Sequence, residues 1–414
     1  MNRRILFVVP YTPSLIRVRP FQLIRHLAER GNRIFLATLW ETPEEEAELK
    51  PLRDVCEQVW ARPLPPGKKA WNCARAALSP HPIQSVFSWQ PALYGDVVRW
   101  MMDGDRMHAL DVAHIEHLRG SRYALAFRDF AAVRGLRLPI VWDSVDCISH
   151  LFSQASGQTR KQFSRWIIRF ELGRTRRYER WLMQQFDRLI VTSSADRDAF
   201  LSLGSDLEGS SSIRVLPNGV DLGYFSPEEG LDREPDTVVI TGKMSYHANV
   251  TMCLDFVEKI WPLVKARRPW ARLWIVGRAP SREVLRLGER PEITVTGSVA
   301  DIRPYLRRAS IAVAPLSYGA GIQNKVLEAM ACGTPVVCTE RAALALRARD
   351  GEHLLVKETP EAFAEAVLEM LSDPEKRERI GKLGRDYVVR MHGWDSIARQ
   401  LEVIYDEVID AADG

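Results

Sequence analysis

The sequence has little cysteine, and the cysteine it has is not arranged for chemistry. Cys56, Cys73, Cys147, Cys253, Cys332 and Cys338 form no CxxC pair and sit in apolar stretches. That excludes the common zinc spacings and a disulfide framework, and leaves reduced thiols in the cytosol as the expectation. No apolar run approaches the roughly 18 residues that a membrane span needs. The opening MNRRILFVVP is short for a secretory leader and runs straight into a strand-like segment, so the expected location is cytoplasmic. Neither sign of charge dominates: the formal net charge is +4, and no recognition motif accompanies it, which argues against nucleic acid as a partner. No GxGxxG follows the first apolar run, so a dinucleotide dehydrogenase is disfavoured. No internal repeat is evident either. What remains is a chain of 414 residues, 46% hydrophobic and 27% charged, long enough for two globular domains.

Apolar runs of strand length alternate with amphipathic helical stretches from one end to the other. The first half offers strands at 5–9, 34–39, 112–115, 140–142 and 189–191, and the second at 238–241, 273–276, 293–295, 311–314 and 336–338. Such alternation predicts an α/β protein of two doubly wound, Rossmann-like domains with parallel sheets, whose ligands bind at the carboxyl ends of strands. The stretch PNGVDLGYFSPEEGLDREPD, 217–236, is rich in Pro, Gly and acids and lacks periodicity, so it reads as a linker. The expected organisation is a first domain over 1–216, that linker, a second domain over 237–385, and a last amphipathic helix over 386–414 with Trp394, Ile397, Leu401, Ile404 and Tyr405 on its apolar side.

One stretch, GAGIQNKVLEAMACGTPVV at 319–337, is unusual in carrying a lysine and a glutamate inside an apolar helix. Val326, Leu327, Met330 and Ala331 share one helical face, while Gly321, Lys325 and Glu328 line another. A solvated Lys/Glu pair would be the plain account. Yet a lysine in the first turn opposes the helix macrodipole unless an anion sits there. Glycines at 319 and 321 would let backbone amides approach such an anion, typically a phosphate, and Glu328 would reach a hydroxylated group attached to it, such as a ribose.

With these motifs placed, the chain resembles the GT-B glycosyltransferases, specifically the retaining, nucleotide-sugar-dependent family 4, and within it an exopolysaccharide-associated branch. The resemblance rests on ILFVVPYTPSLIRVRPFQLIRHLAERGNRI, FDRLIVTSSADRDAF, VLPNGVD, ITGKMSYHANV, LWIVGRAP, VTGSVADIRPYL and the 319–337 stretch, in this order and spacing. It implies two domains facing each other across a cleft, the donor nucleotide on the second, the acceptor on the first, and the last helix crossing back to the first. By position it assigns Glu328 to the ribose and the helix start around Gly321, Ile322 and Gln323 to the diphosphate. Gly242, Lys243 and His247 fall where basic groups meet the phosphates; Gly277 and Arg278 fall near the nucleotide and Gly297 to Val299 near the base. A UDP- or GDP-sugar would be a substrate, and no cofactor is implied. The chain departs from the pattern in three places. Ala320 stands where the first of two glutamates is usual; the loop PYTPSLIRVRP has Arg17 and Arg19 in place of paired glycines; the common His-Asp pair reads Val145-Asp146.

Cleaving a sugar–phosphate bond places charge on the departing diphosphate, so the catalytic task is to stabilise it. Asp103-Gly104-Asp105 and Asp196-Arg197-Asp198 match the Asp-x-Asp of metal-dependent transferases, but the first sits in a turn and the second in the first turn of a helix capped by Ser193 or Ser194. Lys243 and Lys325 could do that work without metal, and the family precedent for retention lets the donor phosphate take the acceptor's proton. In DVAHIEHLRGSRY, 111–123, His114 and Glu116 share a strand face and His117 the other; the spacing fits no standard zinc site. Glu116 or His117 is expected to contact the transferred sugar or the acceptor, the alternative being structural hydrogen bonding. Asp146, Arg17 and Arg19 join them on the acceptor side, and Asp143 reads as structural. The basic run 160–180 reads as an ordinary helix with arginines facing solvent or neighbouring carboxylates, the other reading being peripheral contact with the inner face of the plasma membrane. The favoured function is a retaining hexosyltransferase building a glycan or glycolipid. A sugar-nucleotide epimerase and a non-catalytic nucleotide-sugar-binding subunit are the alternatives.

Overall fold

The computed structural model describes residues 2–413 apart from 16, 78, 104–109, 159–161, 205–212, 229 and 319–322, with the backbone alone for 154–169 and 413. The chain divides into two compact units, 1–216 with 397–414, and 217–396.

The first unit holds β1 (Arg4–Val9), β2 (Arg33–Trp40), β3 (Gln58–Pro63), β4 (Val112–Glu116), β5 (Ile140–Val145), β6 (Arg188–Val191) and β7 (Ile213–Val215), all parallel, in the order β3-β2-β1-β4-β5-β6-β7. The central strands are apolar at nearly every position because helices cover both faces of a parallel sheet. Leu6 and Val8 of β1 pack with Ala113 and Ile115 of β4 beneath the helices Pro91–Met102 and His117–Val133, whose Val97, Tyr123 and Phe127 are buried there. Trp142, Leu189 and Val191 pack beside Phe200, Leu182 and Tyr178. Winding reverses between β1 and β4, and that reversal opens a crevice outside their carboxyl ends.

The second unit holds β8 (Glu234–Thr241), β9 (Arg272–Val276), β10 (Ile293–Gly297), β11 (Ala309–Ala314), β12 (Val336–Cys338) and β13 (Leu355–Val356), again parallel, in the order β10-β9-β8-β11-β12-β13. Its reversal falls between β8 and β11. The loops after these two strands lead into the helices His247–Asp255 and Asn324–Ala331.

Two expectations about the chain's layout need correction. The stretch 217–236 belongs to the second unit: Val220 is buried and pairs with Gly393, and Glu234 already begins β8. Its Arg233 guanidinium donates to the carbonyls of Arg307, Ala309 and Gly333, which a loose linker would not do. The last helix begins at Trp394, because the helix Pro374–His392 runs through 386 and ends at the extended Gly393. From Ile397 onward it groups with the first unit, where Glu402 accepts from Arg3, Arg30 and Asn32 and the Tyr405 hydroxyl meets His114 Nδ1 at 2.9 Å.

Candidate functional site

In the second unit the reversal between β8 and β11 gathers most of the residues expected on the donor side. Gly242 follows β8 at φ 151° and Gly277 follows β9 at φ 153°. The two loops touch: a Cβ on Gly277 would lie 1.7 Å from the Gly242 carbonyl oxygen, so only glycine fits. Backbone bonds from Gly242 N to Val276 O and from Met244 N to Arg278 O tie the loops together. A Cβ on Gly242 would meet Asn249 Nδ2 at 2.8 Å and Lys325 Cε at 3.6 Å, which brings in the starts of both helices.

The helix Asn324–Ala331 carries Lys325 in its first turn, with no acidic residue there to offset the macrodipole. Lys325 Nζ donates to Asn249 Oδ1 at 2.7 Å and to Gln323 Oε1 at 3.4 Å, and Asn249 Nδ2 donates to the Lys243 carbonyl at 3.0 Å. Burial pulls the Lys325 ammonium down to about 8. One helical turn away, burial pushes the Glu328 carboxyl up to about 7, and that carboxyl has no hydrogen-bond partner among the described residues. A cation and an acid held near their titration points at a helix start suit a ligand with an anionic part and hydroxyls.

Around this centre Lys243, His247 and Arg278 are exposed. The His247 ring stacks on Tyr318 at 5.4 Å, and the Tyr318 hydroxyl bonds both His247 Nδ1 and Thr251 Oγ1 at 3.0 Å. Val299 follows β10 at the sheet edge and is half-buried, with no bond to the cluster among the described residues. Gly321 and Ile322, with Ala320, lie outside the described residues.

The first unit's reversal gathers a second, separate group. Tyr11, after β1, donates to Glu116 Oε1 at 2.6 Å, and Glu116 closes β4 with Oε2 buried and without a partner among the described residues. Burial, then the neighbouring Asp143, pushes the Glu116 carboxyl up to about 8. His117 is the first residue of the following helix, at a left-handed φ of 62°, not a strand residue on the opposite face. Burial, then Arg119, draws its imidazole down to about 4, so the ring is neutral. Arg17 lies over the Tyr11 ring at 5.0 Å and pairs with Glu45 at 3.4 Å. Asp146 follows Val145, whose φ of 67° is strained for a β-branched residue; burial, then Asp196, pushes the Asp146 carboxyl up to about 6.

Arg19 does not join this group as an acceptor contact. Its side chain is buried, and Nε and Nη2 reach Asp143 Oδ2 at 2.9 and 2.7 Å. Burial alone would raise Asp143, but Arg19 and His114 hold it below the usual carboxylate range. Arg19 is thus part of the floor beneath the crevice. Of the two Asp-x-Asp matches, the first has Gly104 and Asp105 outside the described residues. In the second, Asp196 is buried in a helix start capped by Ser193 and accepts from Cys147 N at 3.0 Å. Among the described residues, no group of His, Cys, Asp and Glu is arranged to hold a metal ion.

A family model described as Glycosyltransferase Family 4 matches residues 18–224, and one described as Glycosyl transferases group 1 matches residues 235–373. The chain belongs to glycosyltransferase family 4. Within the family, it is 29% identical over 235 residues to a phosphatidyl-myo-inositol mannosyltransferase of Mycobacterium tuberculosis, covering 53% of this chain and 59% of that protein. A protein of the same name from Mycobacterium leprae is 27% identical over 330 residues, covering 77% and 78%. The chain thus spans less than two thirds of the length of the first of these relatives. In fold this family 4 chain is similar to sucrose-phosphate synthase from Thermosynechococcus elongatus, with TM-score 0.65, 18% identity and coverage of 99% and 100%. HepE of Anabaena, solved with UDP-glucose, superposes with TM-score 0.62, 16% identity and coverage of 98% and 100%. The two parallel-sheet units are therefore those of the GT-B fold.

Reading the family 4 sequence by residue leaves out Asn249, Tyr318 and Tyr11. Asn249 is separated from Lys325 by 76 positions, and nothing in local periodicity links them. Tyr318 could have been found, since it directly precedes the unusual stretch at 319–337.

Proposed function

We propose that this family 4 chain transfers a hexosyl group from a nucleoside diphosphate sugar, such as a UDP- or GDP-sugar, to a hydroxyl of a glycan or lipid-linked acceptor, with retention of configuration and without a metal ion. The observation that carries the reading is the Lys325–Asn249–Gly242 cluster at the second unit's reversal, beside the half-buried Glu328 carboxyl. A diphosphate there would face the Lys325 ammonium and the start of its helix, with Lys243, Arg278 and His247 at the rim. Charge-assisted bonds of this kind contribute about 1.5–3 kcal/mol each, most in the transition state, where charge has moved onto the leaving phosphate. Glu328 would accept from the ribose hydroxyls. The curated relatives' names specify mannosyl transfer to phosphatidylinositol, which supports a mannosyl donor and a lipid-linked acceptor as the first choices to try.

In the first unit Glu116, protonated at neutral pH, can donate as well as accept, and neutral His117 can do the same, so both suit an acceptor's hydroxyls. No residue need act as a dedicated base if the departing phosphate oxygen takes the acceptor's proton. The reaction would take place in the cytoplasm, and a lipid-linked acceptor would bring the protein to the inner face of the plasma membrane. The test is transfer itself: each sugar nucleotide is supplied with a lipid extract or short glycan, and the product's anomeric configuration is read by proton NMR. The reading expects an α-product from an α-donor. A β-product would end the claim of retention, and binding with neither transfer nor isomerisation would favour the assisting-subunit reading.

A further inference from the structure

The first unit carries a cavity of about 410 Å³ that shares no lining residue with the group at its sheet reversal. Its wall includes Lys68, Arg75 and Arg122, together with His81, Trp89 and Tyr178, and no carboxylate among the described residues. Several other arginines of the unit are matched to acids, among them Arg62 to Asp96, Arg33 to Glu57 and Arg4 to Asp111. Lys68, Arg75 and Arg122 have no ion-pair partner among the described residues. Three cations converging on one concavity repel one another unless an anion lies between them.

The cavity is also built rather than incidental. Arg122 lies over the Trp89 ring at 4.6 Å, which fixes its plane and leaves its N–H edge to an in-plane acceptor. His81 packs edge-on against Tyr178 at 5.5 Å. The turn that carries His81 is clamped from beneath by the buried Arg174, which donates to the carbonyls of Ala76, Ser79 and His81 and pairs with Glu171 at 2.6 Å. Glu171 in turn accepts from Ile83 N at 2.9 Å. Arg174 turns Nη1 and Nη2 to Glu171 and the rim carbonyls, so the anion falls to the three unmatched cations that line the cavity. Burial, then Arg75, lowers the Arg122 guanidinium, in keeping with crowded positive charge.

We propose that this cavity is a binding site for a phosphate group carried on an organic body that packs against Trp89 and Tyr178. The phosphate belongs either to a soluble phosphorylated polyol or to a phospholipid headgroup. The site makes no use of Lys325, Glu328 or any nucleotide, so it is tested without one, and failure of the donor reading leaves the result intact.

The experiment measures binding of glycerol 1-phosphate by calorimetry and retention on phosphatidylcholine vesicles with and without phosphatidylglycerol. It compares wild type, Arg75→Gln with Arg122→Gln, the milder Lys68→Gln, and the charge-matched Lys259→Gln with Arg267→Gln on the exposed surface of the second unit. Loss of two charge-assisted contacts should weaken binding at least about tenfold in the first double variant and not in the control. Saturable glycerol 1-phosphate binding with that pattern supports the site with a soluble ligand. Retention on phosphatidylglycerol vesicles alone, with the same pattern, supports it with a lipid headgroup. If folded wild type binds neither, or if Arg75→Gln with Arg122→Gln binds as wild type does and Lys68→Gln leaves affinity unchanged, the proposal is overturned.

Discussion

A lysine drawn down to about 8 by burial takes up a proton when a diphosphate arrives, because the new anion favours the charged ammonium. Calorimetry at about pH 8.5 in buffers of different ionisation enthalpy should show net uptake on binding of the donor nucleotide, absent in Lys325→Met. Asn249 should matter through Lys325: Asn249→Ala should lower kcat/KM about ten- to a hundredfold, and Asn249→Asp, which sets an anion beside the ammonium before the nucleotide arrives, should diminish the proton uptake. Glu116 gives a stability test of the opposite sign. Its folded value of about 8 lies above the ordinary 4.5, so the folded state holds its proton where the unfolded chain has lost it. Its contribution is full below about pH 4.5 and is lost as pH rises through about 8. Glu116→Gln should therefore flatten the fall in Tm between about pH 5 and 8; an unchanged profile would mean the carboxyl is ionised in the native protein.

At the scale of elements, the contact between the loops after β8 and β9 is the most demanding packing in the second unit. Gly277→Ala places a methyl on the Gly242 carbonyl, so the loops must part, and a loss of more than about 3 kcal/mol in denaturant titration is expected. The ten strands anticipated from apolar runs are all present, because the interior strands of a parallel sheet are apolar on both faces and stand out in sequence. The three not anticipated, β3, β7 and β13, are all edge strands. β3 is at most half-buried and ends at Pro63, so neither alternation nor an apolar run marks it. That Gly242, Lys243, His247 and Lys325 come together was legible for a related reason: they fall at strand ends and a helix start, where local sequence dictates geometry. The grouping in the first unit was less so. Arg19 looks like a free cation in sequence, and only the sheet brings Asp143 beneath it. The arginines of 160–180 show the same limit, since Arg174 is buried and clamped while Arg176 and Arg177 face solvent. A charge-reversal test of membrane contact should therefore use Arg176 and Arg177 alone.

At the scale of the whole molecule, the chain closes on itself, since residues 397–414 complete the unit that residues 1–216 begin. Ile397, Leu401, Tyr405 and Val408 are buried there, and Glu402 bonds three side chains of the first 32 residues. Truncation after Ser396 should leave the second unit with its own thermal transition and abolish that of the first; two intact transitions would contradict this division. The central claim is that the second unit binds a nucleoside diphosphate sugar through Lys325 and Glu328. The most direct test is the thermal stabilisation of wild type, Lys325→Ala and Glu328→Ala by UDP-, GDP-, ADP- and dTDP-sugars, each with and without EDTA. A ligand at about 100 times its Kd adds about 2.7 kcal/mol to stability, a readily measured rise in Tm. The account predicts that one nucleotide stabilises wild type, that EDTA does not diminish the effect, and that either variant loses it. Stabilisation of neither kind in a folded wild type, or equal stabilisation of all three proteins, would contradict it.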